Sequence, residues 1–169
     1  MQPPYPWDSY NAIVTQDAGK YPNCTDNVRK AWPLMLKLSK SSKGLAKISE
    51  SMSLCDDVKS EMDVWSLIYW ISDAFSFIAM GDYPYPSSYM TNGIGTLPAW
   101  PMSVACSHLE GELNEVSLLS GLASAAAVFY NHTPGVQCND WAASVNNQTA
   151  RDGFLWNFQY CTEVGNQDT

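Results

Sequence analysis

The sequence lacks the residue patterns that usually bind zinc, activate a nucleophile or hold a nucleotide. Its cysteines form no C-x-x-C pair, and its two histidines, His108 and His132, lie well apart. Zinc sites draw their ligands from closely spaced pairs, so no metal site is predicted. The G-x-S-x-G turn of serine hydrolases and the G-x-x-x-x-G-K loop of phosphate-binding proteins are also missing. No cofactor is therefore expected.

Basic residues and long apolar runs are scarce as well. Nine lysines and arginines stand against seventeen aspartates and glutamates, which gives a net charge of −8. A phosphate-binding surface needs the opposite sign, so nucleic-acid binding is not expected. The longest apolar stretch, residues 64–80, is interrupted by Ser66, Ser72, Asp73 and Ser76 and is too short and polar for a membrane span. The first residues carry no signal-peptide pattern.

Apolar residues and dispersed cysteines are what the chain does contain. Apolar residues make up 46% of its 169 residues, which is enough for the core of one domain. The five cysteines are Cys24, Cys55, Cys106, Cys138 and Cys161. Cysteines spread in this way are typical of a disulfide-stapled domain from an oxidising compartment. Glycosylation sequons at Asn23, Asn131 and Asn147 indicate the same compartment, so a secreted or lysosomal protein is predicted.

Apolar residues recur at helical spacing through most of the chain, which predicts an all-α fold. Helices are expected over about 25–38, 45–52, 56–80, 98–109 and 113–130, with a looser one over 140–151 and a last unit over 154–164. Pro33 should kink the first of them or mark a restart. Asp56 and Asp57 favour the N-terminus of the long third helix, and Gly81 its end. An irregular leading segment is predicted for residues 1–23, and a tail is predicted for residues 165–169.

Side chains that could perform catalysis occur only singly. A Ser-His-Asp hydrolase needs a histidine that takes a proton from its serine. His108 lies in a helical pattern and His132 lies within a sequon, so both are predicted to be structural or surface residues. Three glutamates between residues 110 and 115 cluster where an acidic run is normally solvated. Asp73 interrupts an apolar helix and is expected on its exposed face. No complete active site is predicted.

Three sequence blocks, in their order and spacing, carry a family resemblance. They are D-Y-P-Y at residues 82–85, L-P-A-W-P at 97–101 and Q-Y-C-T-E at 159–163. Together they resemble the inserted helical domain of the lysosomal Pro-X carboxypeptidase and dipeptidyl-peptidase II family of serine exopeptidases. The similarity extends over residues 21–164, which is nearly the whole chain.

The resemblance implies that residues 24–164 are a disulfide-stapled helical cap domain, normally inserted in an α/β-hydrolase fold. In that family the hydrolase domain holds the catalytic triad, and the cap restricts the active site to chain ends next to proline. The nucleophile would precede Met1, and the aspartate and histidine would follow Thr169. The chain is thus expected to be an inactive fragment of a longer enzyme. The peptide substrate would bind through the missing hydrolase domain, and the full-length parent could form a homodimer.

The resemblance also assigns roles to particular residues. It pairs Cys24 with Cys106 and Cys55 with Cys138, and it leaves Cys161 to a partner that this chain lacks. Its candidates for the substrate pocket are Trp156, Asn157, Gln159 and Glu163. Asn157 stands where the dipeptidyl-peptidase branch carries an aspartate, and an uncharged side chain there favours carboxypeptidase-like specificity. In an equally weighted alternative, Trp156 belongs to the core and Gln159 caps a helix.

Two functional hypotheses follow from these residues. The first is the substrate-restricting cap of a serine-type exopeptidase that acts on proline-containing peptides. The second is a secreted, non-catalytic helical module that binds peptides or a partner surface. They differ in what flanks the coding region, because only the first requires a G-x-S-x-G turn upstream and an aspartate and a histidine downstream.

Overall fold

The protein is all-α, as the sequence predicts. The computed structural model describes residues 9, 12–13, 15–16, 18–131 and 135–142. Five helices lie in these ranges: α1 Cys24–Leu38, α2 Ser42–Ser51, α3 Glu61–Met80, α4 Pro101–Ser107 and α5 Glu115–Tyr130. The only extended pairings within the same ranges are two isolated bridges, between Leu54 and Asn139 and between Ser87 and Leu97.

Helix α5 is central, because it packs against each of the other four helices. Its buried face includes Leu119 and Leu122, and the facing side of α3 buries Leu67 and Ile71. Small residues allow this close packing. A Cβ atom added at Gly121 would lie 2.4 Å from the carbonyl oxygen of His108, so α5 passes directly against the end of α4.

Helix α3 begins later than the sequence predicts. Ser60 caps it by accepting a hydrogen bond from the Asp63 N–H, and the Asp63 carboxylate accepts one from the Ser60 N–H. This reciprocal pair is a capping box. The prediction of a start at Asp56 is wrong because the preceding residues bond elsewhere. The Asp56 carbonyl accepts from the Trp141 indole at 2.7 Å, and the Val58 N–H donates to the Ser49 hydroxyl at 3.1 Å.

Two further expectations about helices need correction. Helix α1 runs from Cys24 to Leu38, so it does not restart at Pro33. Its neighbours Ala31 and Met35 are fully buried, and this packing outweighs the hydrogen bond that proline cannot make. The described residues between Ser9 and Ala18 are helical, where an irregular segment was predicted.

Two disulfides join distant parts of the described chain, and their pairs are those implied by the family resemblance. Cys24 bonds to Cys106, which ties the start of α1 to α4. Cys55 bonds to Cys138 beside the Leu54–Asn139 bridge. The first pair is buried, whereas Cys55 is exposed. Cys161 lies outside the described residues.

Candidate functional site

The outward side of α3 carries a row of exposed apolar side chains. Residues three or four apart on a helix lie on one face. We call the face defined by Met62, Trp65, Tyr69, Asp73, Phe77 and Met80 the outer face of α3. Met62 and Tyr69 are 71% and 67% exposed, which is unusual for such large apolar groups. An exposed apolar face of this kind is typical of a surface that contacts a partner or a ligand.

Aromatic rings from α5 extend the outer face on one side. The Tyr130 ring stacks on Trp70 with centroids 4.3 Å apart, and its hydroxyl donates a hydrogen bond of 3.0 Å to the Trp70 carbonyl. The Phe129 ring stacks on Phe77 at 4.9 Å and meets Tyr130 edge-on at 5.0 Å. Stacked and edge-on contacts of this kind stabilise the positions of Trp70 and Phe77, which lie three and four residues from Asp73 on α3.

On the other side of α3 lies a cleft of about 320 Å³ between α1 and α3. Its apolar lining includes Val28, Trp32, Phe75 and Met102, and Ser72 of α3 also lines it. The outer face of α3 therefore runs between an aromatic cluster and a recess, and both could receive apolar groups of a ligand.

Asp73 is the charged residue of the outer face. Desolvation by its surroundings raises the pKa of this carboxyl above its usual value. Burial, and secondly the negative charge of Asp73, raise the pKa of the Tyr130 phenol. Within the described ranges the Asp73 side chain makes no ion pair. The site thus holds an uncompensated carboxylate next to aromatic rings.

The raised pKa of Tyr130 makes stability depend on pH in the alkaline range. Above about pH 10 the folded state keeps the proton of the Tyr130 phenol, whereas the unfolded chain, with a pKa near 10.0, releases it. The contribution of the neutral phenol is therefore present below that pH and is lost as the pH rises beyond it. We expect urea unfolding between pH about 8 and about 11 to show a steeper fall in stability for the wild type than for Tyr130→Phe. Tyr89→Phe, at an exposed tyrosine, is the control, and equal slopes for all three proteins would contradict the prediction.

The D-Y-P-Y and L-P-A-W-P blocks form one loop between α3 and α4. The Asp82 carboxylate accepts a hydrogen bond from the Met102 N–H at 3.0 Å and so caps the start of α4. The Tyr83 carbonyl accepts from the Trp100 N–H at 2.8 Å, and Ser87 pairs with Leu97 in both directions. These motif residues hold the loop together, and α4 in turn carries Cys106 of the buried disulfide.

Catalytic groups do not converge in the described part of the chain. His108 is exposed at the C-terminal end of α4, and no hydrogen bond joins its ring to a serine or carboxylate there. His132 lies outside the described residues. The glutamates near residue 110 are exposed, and Glu115 pairs with Lys47, which lowers the pKa of Glu115. No cluster of three metal-binding side chains occurs among the described residues. None of the described helices is long and apolar enough to cross a bilayer.

Comparison with known proteins decides the family. The family model described as serine carboxypeptidase S28 matches residues 5–169. The chain belongs to the serine carboxypeptidase S28 family. This family is one of serine-type peptidases.

Individual relatives of this S28 chain are longer than the chain itself. The lysosomal Pro-X carboxypeptidase of Bos taurus is 31% identical over 161 residues, which cover 94% of this chain and 31% of the relative. The Homo sapiens protein of the same name is 32% identical with the same coverage. The prolyl carboxy peptidase like protein 5 of Caenorhabditis elegans is 31% identical over 173 residues, 94% of this chain and 32% of its own. The S28 chain thus spans about a third of the length of these relatives.

The residues predicted for the substrate pocket of this S28 chain lie outside the described residues. They are Trp156, Asn157, Gln159 and Glu163. Asp73, by contrast, was expected only on the exposed face of its helix, where it does lie. The aromatic partners that distinguish its surroundings come from α5, more than fifty residues further along the sequence. No local sequence signal could have identified that arrangement.

The sequons of the S28 chain differ in accessibility. Asn23 is exposed at the start of α1, and its side chain makes no cap hydrogen bond. Asn131 is half-buried at the end of α5, and its Nδ2 donates a hydrogen bond of 2.9 Å to the Asn139 Oδ1. Asn147 lies outside the described residues. Asn23 is therefore the better placed of the two described asparagines to carry a glycan.

Proposed function

We propose that this chain is the helical cap of a serine-type exopeptidase and restricts its active site to the ends of proline-containing peptides. The observation that carries the proposal is the S28 match over residues 5–169, in a chain about a third as long as relatives named Pro-X carboxypeptidases. The names of those relatives supply the substrate class. On this proposal the catalytic serine, aspartate and histidine belong to another part of the same protein.

The described residues support a covering role rather than a catalytic one. The ring of their one histidine, His108, makes no hydrogen bond to a serine, and the hydroxyl of the adjacent Ser107 donates to the Val104 carbonyl. Catalysis by a triad requires a hydrogen-bonded serine and base. The outer face of α3 also favours this role. A cap that closes over another domain or a bound peptide needs exposed apolar surface, and α3 presents it along its whole length.

We also propose that the protein works in the lysosome or is secreted. Disulfides persist in oxidising compartments, and this chain carries two of them. The sequons are consistent with passage through the secretory route, and the bovine and human relatives are named lysosomal. Asn23 is proposed as a glycosylation site because of its exposure.

An assay of the purified chain tests whether residues 1–169 catalyse hydrolysis by themselves. We expect no turnover of an N-blocked dipeptide with proline before its terminal residue, because on this proposal the triad belongs to another part of the protein. The bovine relative, assayed in parallel, is the positive control. Hydrolysis by residues 1–169 that a serine-directed inhibitor abolishes would contradict the proposal. A transcript that encodes this chain without a G-x-S-x-G turn upstream would favour the non-catalytic binding module instead.

A further inference from the structure

The outer face of α3 contains a carboxylate that has no counter-charge among the described residues. Asp73 is exposed, and no ion pair or hydrogen bond of its side chain occurs within the described ranges. The ion pairs seen in that part of the chain engage other acids, such as Glu61 with Lys40 and Glu115 with Lys47. A negative charge left in this way can attract a cation from outside the chain.

Aromatic residues of α3 stand on both sides of this carboxylate. Tyr69 precedes Asp73 by four residues and Phe77 follows it by four, so the three side chains are neighbours on one face of the helix. Tyr69 is 67% exposed and Phe77 is 36% exposed, which leaves ring surface open to a ligand. The faces of aromatic rings attract cations through their quadrupole.

Helix α5 adds aromatic residues on one side of Asp73. The Tyr130 hydroxyl donates to the carbonyl of Trp70, three residues before Asp73 on α3, at 3.0 Å, and its ring stacks on Trp70 at 4.3 Å. Phe129 stacks on Phe77 at 4.9 Å and so fixes the orientation of that ring. The carboxylate therefore lies beside aromatic groups from two helices, and the packing of Phe77 and Tyr130 is in place before any ligand arrives.

We propose that Asp73, with the rings of Tyr69, Phe77 and Tyr130, binds a cationic group of a peptide, either a free amino terminus or a basic side chain. The carboxylate supplies the charge and a hydrogen-bond acceptor, and the rings supply cation–π contacts. The inference rests on the proposed function only in taking the ligand to be a peptide.

A binding titration tests the site directly. The probes are pentaalanine amide with a free amino terminus, its N-acetylated form, and the N-acetylated form with a central arginine. Binding to residues 1–169 is followed by NMR chemical shifts of the backbone amides. We expect the two cationic peptides to shift resonances of α3 and α5, whereas the acetylated, uncharged peptide should not. Binding of only one cationic peptide would identify the source of the cation as ammonium or guanidinium.

Matched variants separate the contribution of the Asp73 charge to binding from that of the apolar face. We expect Asp73→Asn to weaken binding of the cationic peptides about tenfold, as for loss of one charge-assisted hydrogen bond. Asp57→Asn removes the same charge at an exposed position before α3 and should leave binding unchanged. Tyr69→Leu should weaken binding about threefold by removing one ring face. Circular dichroism of each variant establishes that it is folded.

Two results would overturn the inference. One is equal binding of the cationic peptides by Asp73→Asn and the wild type. The other is equal binding of the charged and uncharged peptides, which would make the outer face a purely apolar contact surface. Neither result bears on hydrolysis, since no peptide is cleaved in the titration. A failed cation site and a failed peptidase assignment are therefore distinguishable.

Discussion

Replacing Cys24 and Cys106 together with alanine is expected to lower the free energy of unfolding by about 4 kcal/mol. The bond closes a loop with a sequence separation of 82 residues, and a cross-link of that span greatly restricts the unfolded chain. Both sulfurs are also buried, so alanine leaves unfilled space in the core. Urea unfolding followed by far-ultraviolet circular dichroism measures the loss.

The second disulfide provides a matched comparison. Cys55 and Cys138 are separated by 83 residues, so the effect on the unfolded chain is nearly the same. Cys55, however, is exposed, and its removal leaves little cavity. We therefore expect the Cys55→Ala/Cys138→Ala variant to lose less stability than the Cys24→Ala/Cys106→Ala variant, and the reverse order would contradict this account. If the latter does not fold, graded reduction of the wild type provides the comparison, with the exposed Cys55 bond expected to open first.

Asn27→Leu is expected to cost about 3 kcal/mol of stability, although the substitution adds apolar surface to the core. Asn27 is 1% exposed, and its side-chain amide donates to the carbonyls of Leu109 at 2.8 Å and Gly111 at 3.0 Å. These bonds tie α1 to the loop after α4. Leucine cannot donate, so both carbonyls would lose their side-chain donor, and that of Leu109 lies in the core.

The control for Asn27 is an exposed asparagine that makes one hydrogen bond. Asn114 caps α5 by accepting from the Ser117 N–H at 3.0 Å, and Asn114→Ala should cost about 1 kcal/mol. Urea unfolding of both variants gives the comparison. A loss for Asn27→Leu no larger than that for Asn114→Ala would show that the buried bonds add little.

The helical fold could be predicted because its signals are local. Apolar spacing predicted helices α1 to α5, although not the helical residues between Ser9 and Ala18, and Gly81 ends α3 as expected. The start of α3 was missed although Ser60 and Asp63 have the spacing of a capping box. Asp56 and Asp57 also satisfy the charge preference of a helix N-terminus, and only tertiary bonds to Trp141 and Ser49 exclude them.

The long-range contacts could not be predicted from the residues alone. The five cysteines allow many pairings, and the family resemblance, not their spacing, selected the two pairs seen. Asn27 gave no signal, because its partners lie more than eighty residues away. The surroundings of Asp73 also depend on α5. Contacts of this kind arise from the packing of whole helices, for which the sequence carries no local pattern.

The central claim is that this S28 chain covers an active site formed elsewhere in its protein. A fluorophosphonate reacts with activated serines, so labelling the native protein from its source and mapping the modified peptide tests the claim most directly. We predict a labelled protein that contains this chain, with the modified serine outside residues 1–169. A label on a serine within residues 1–169, or a native protein that contains this chain and takes no label, would contradict the account.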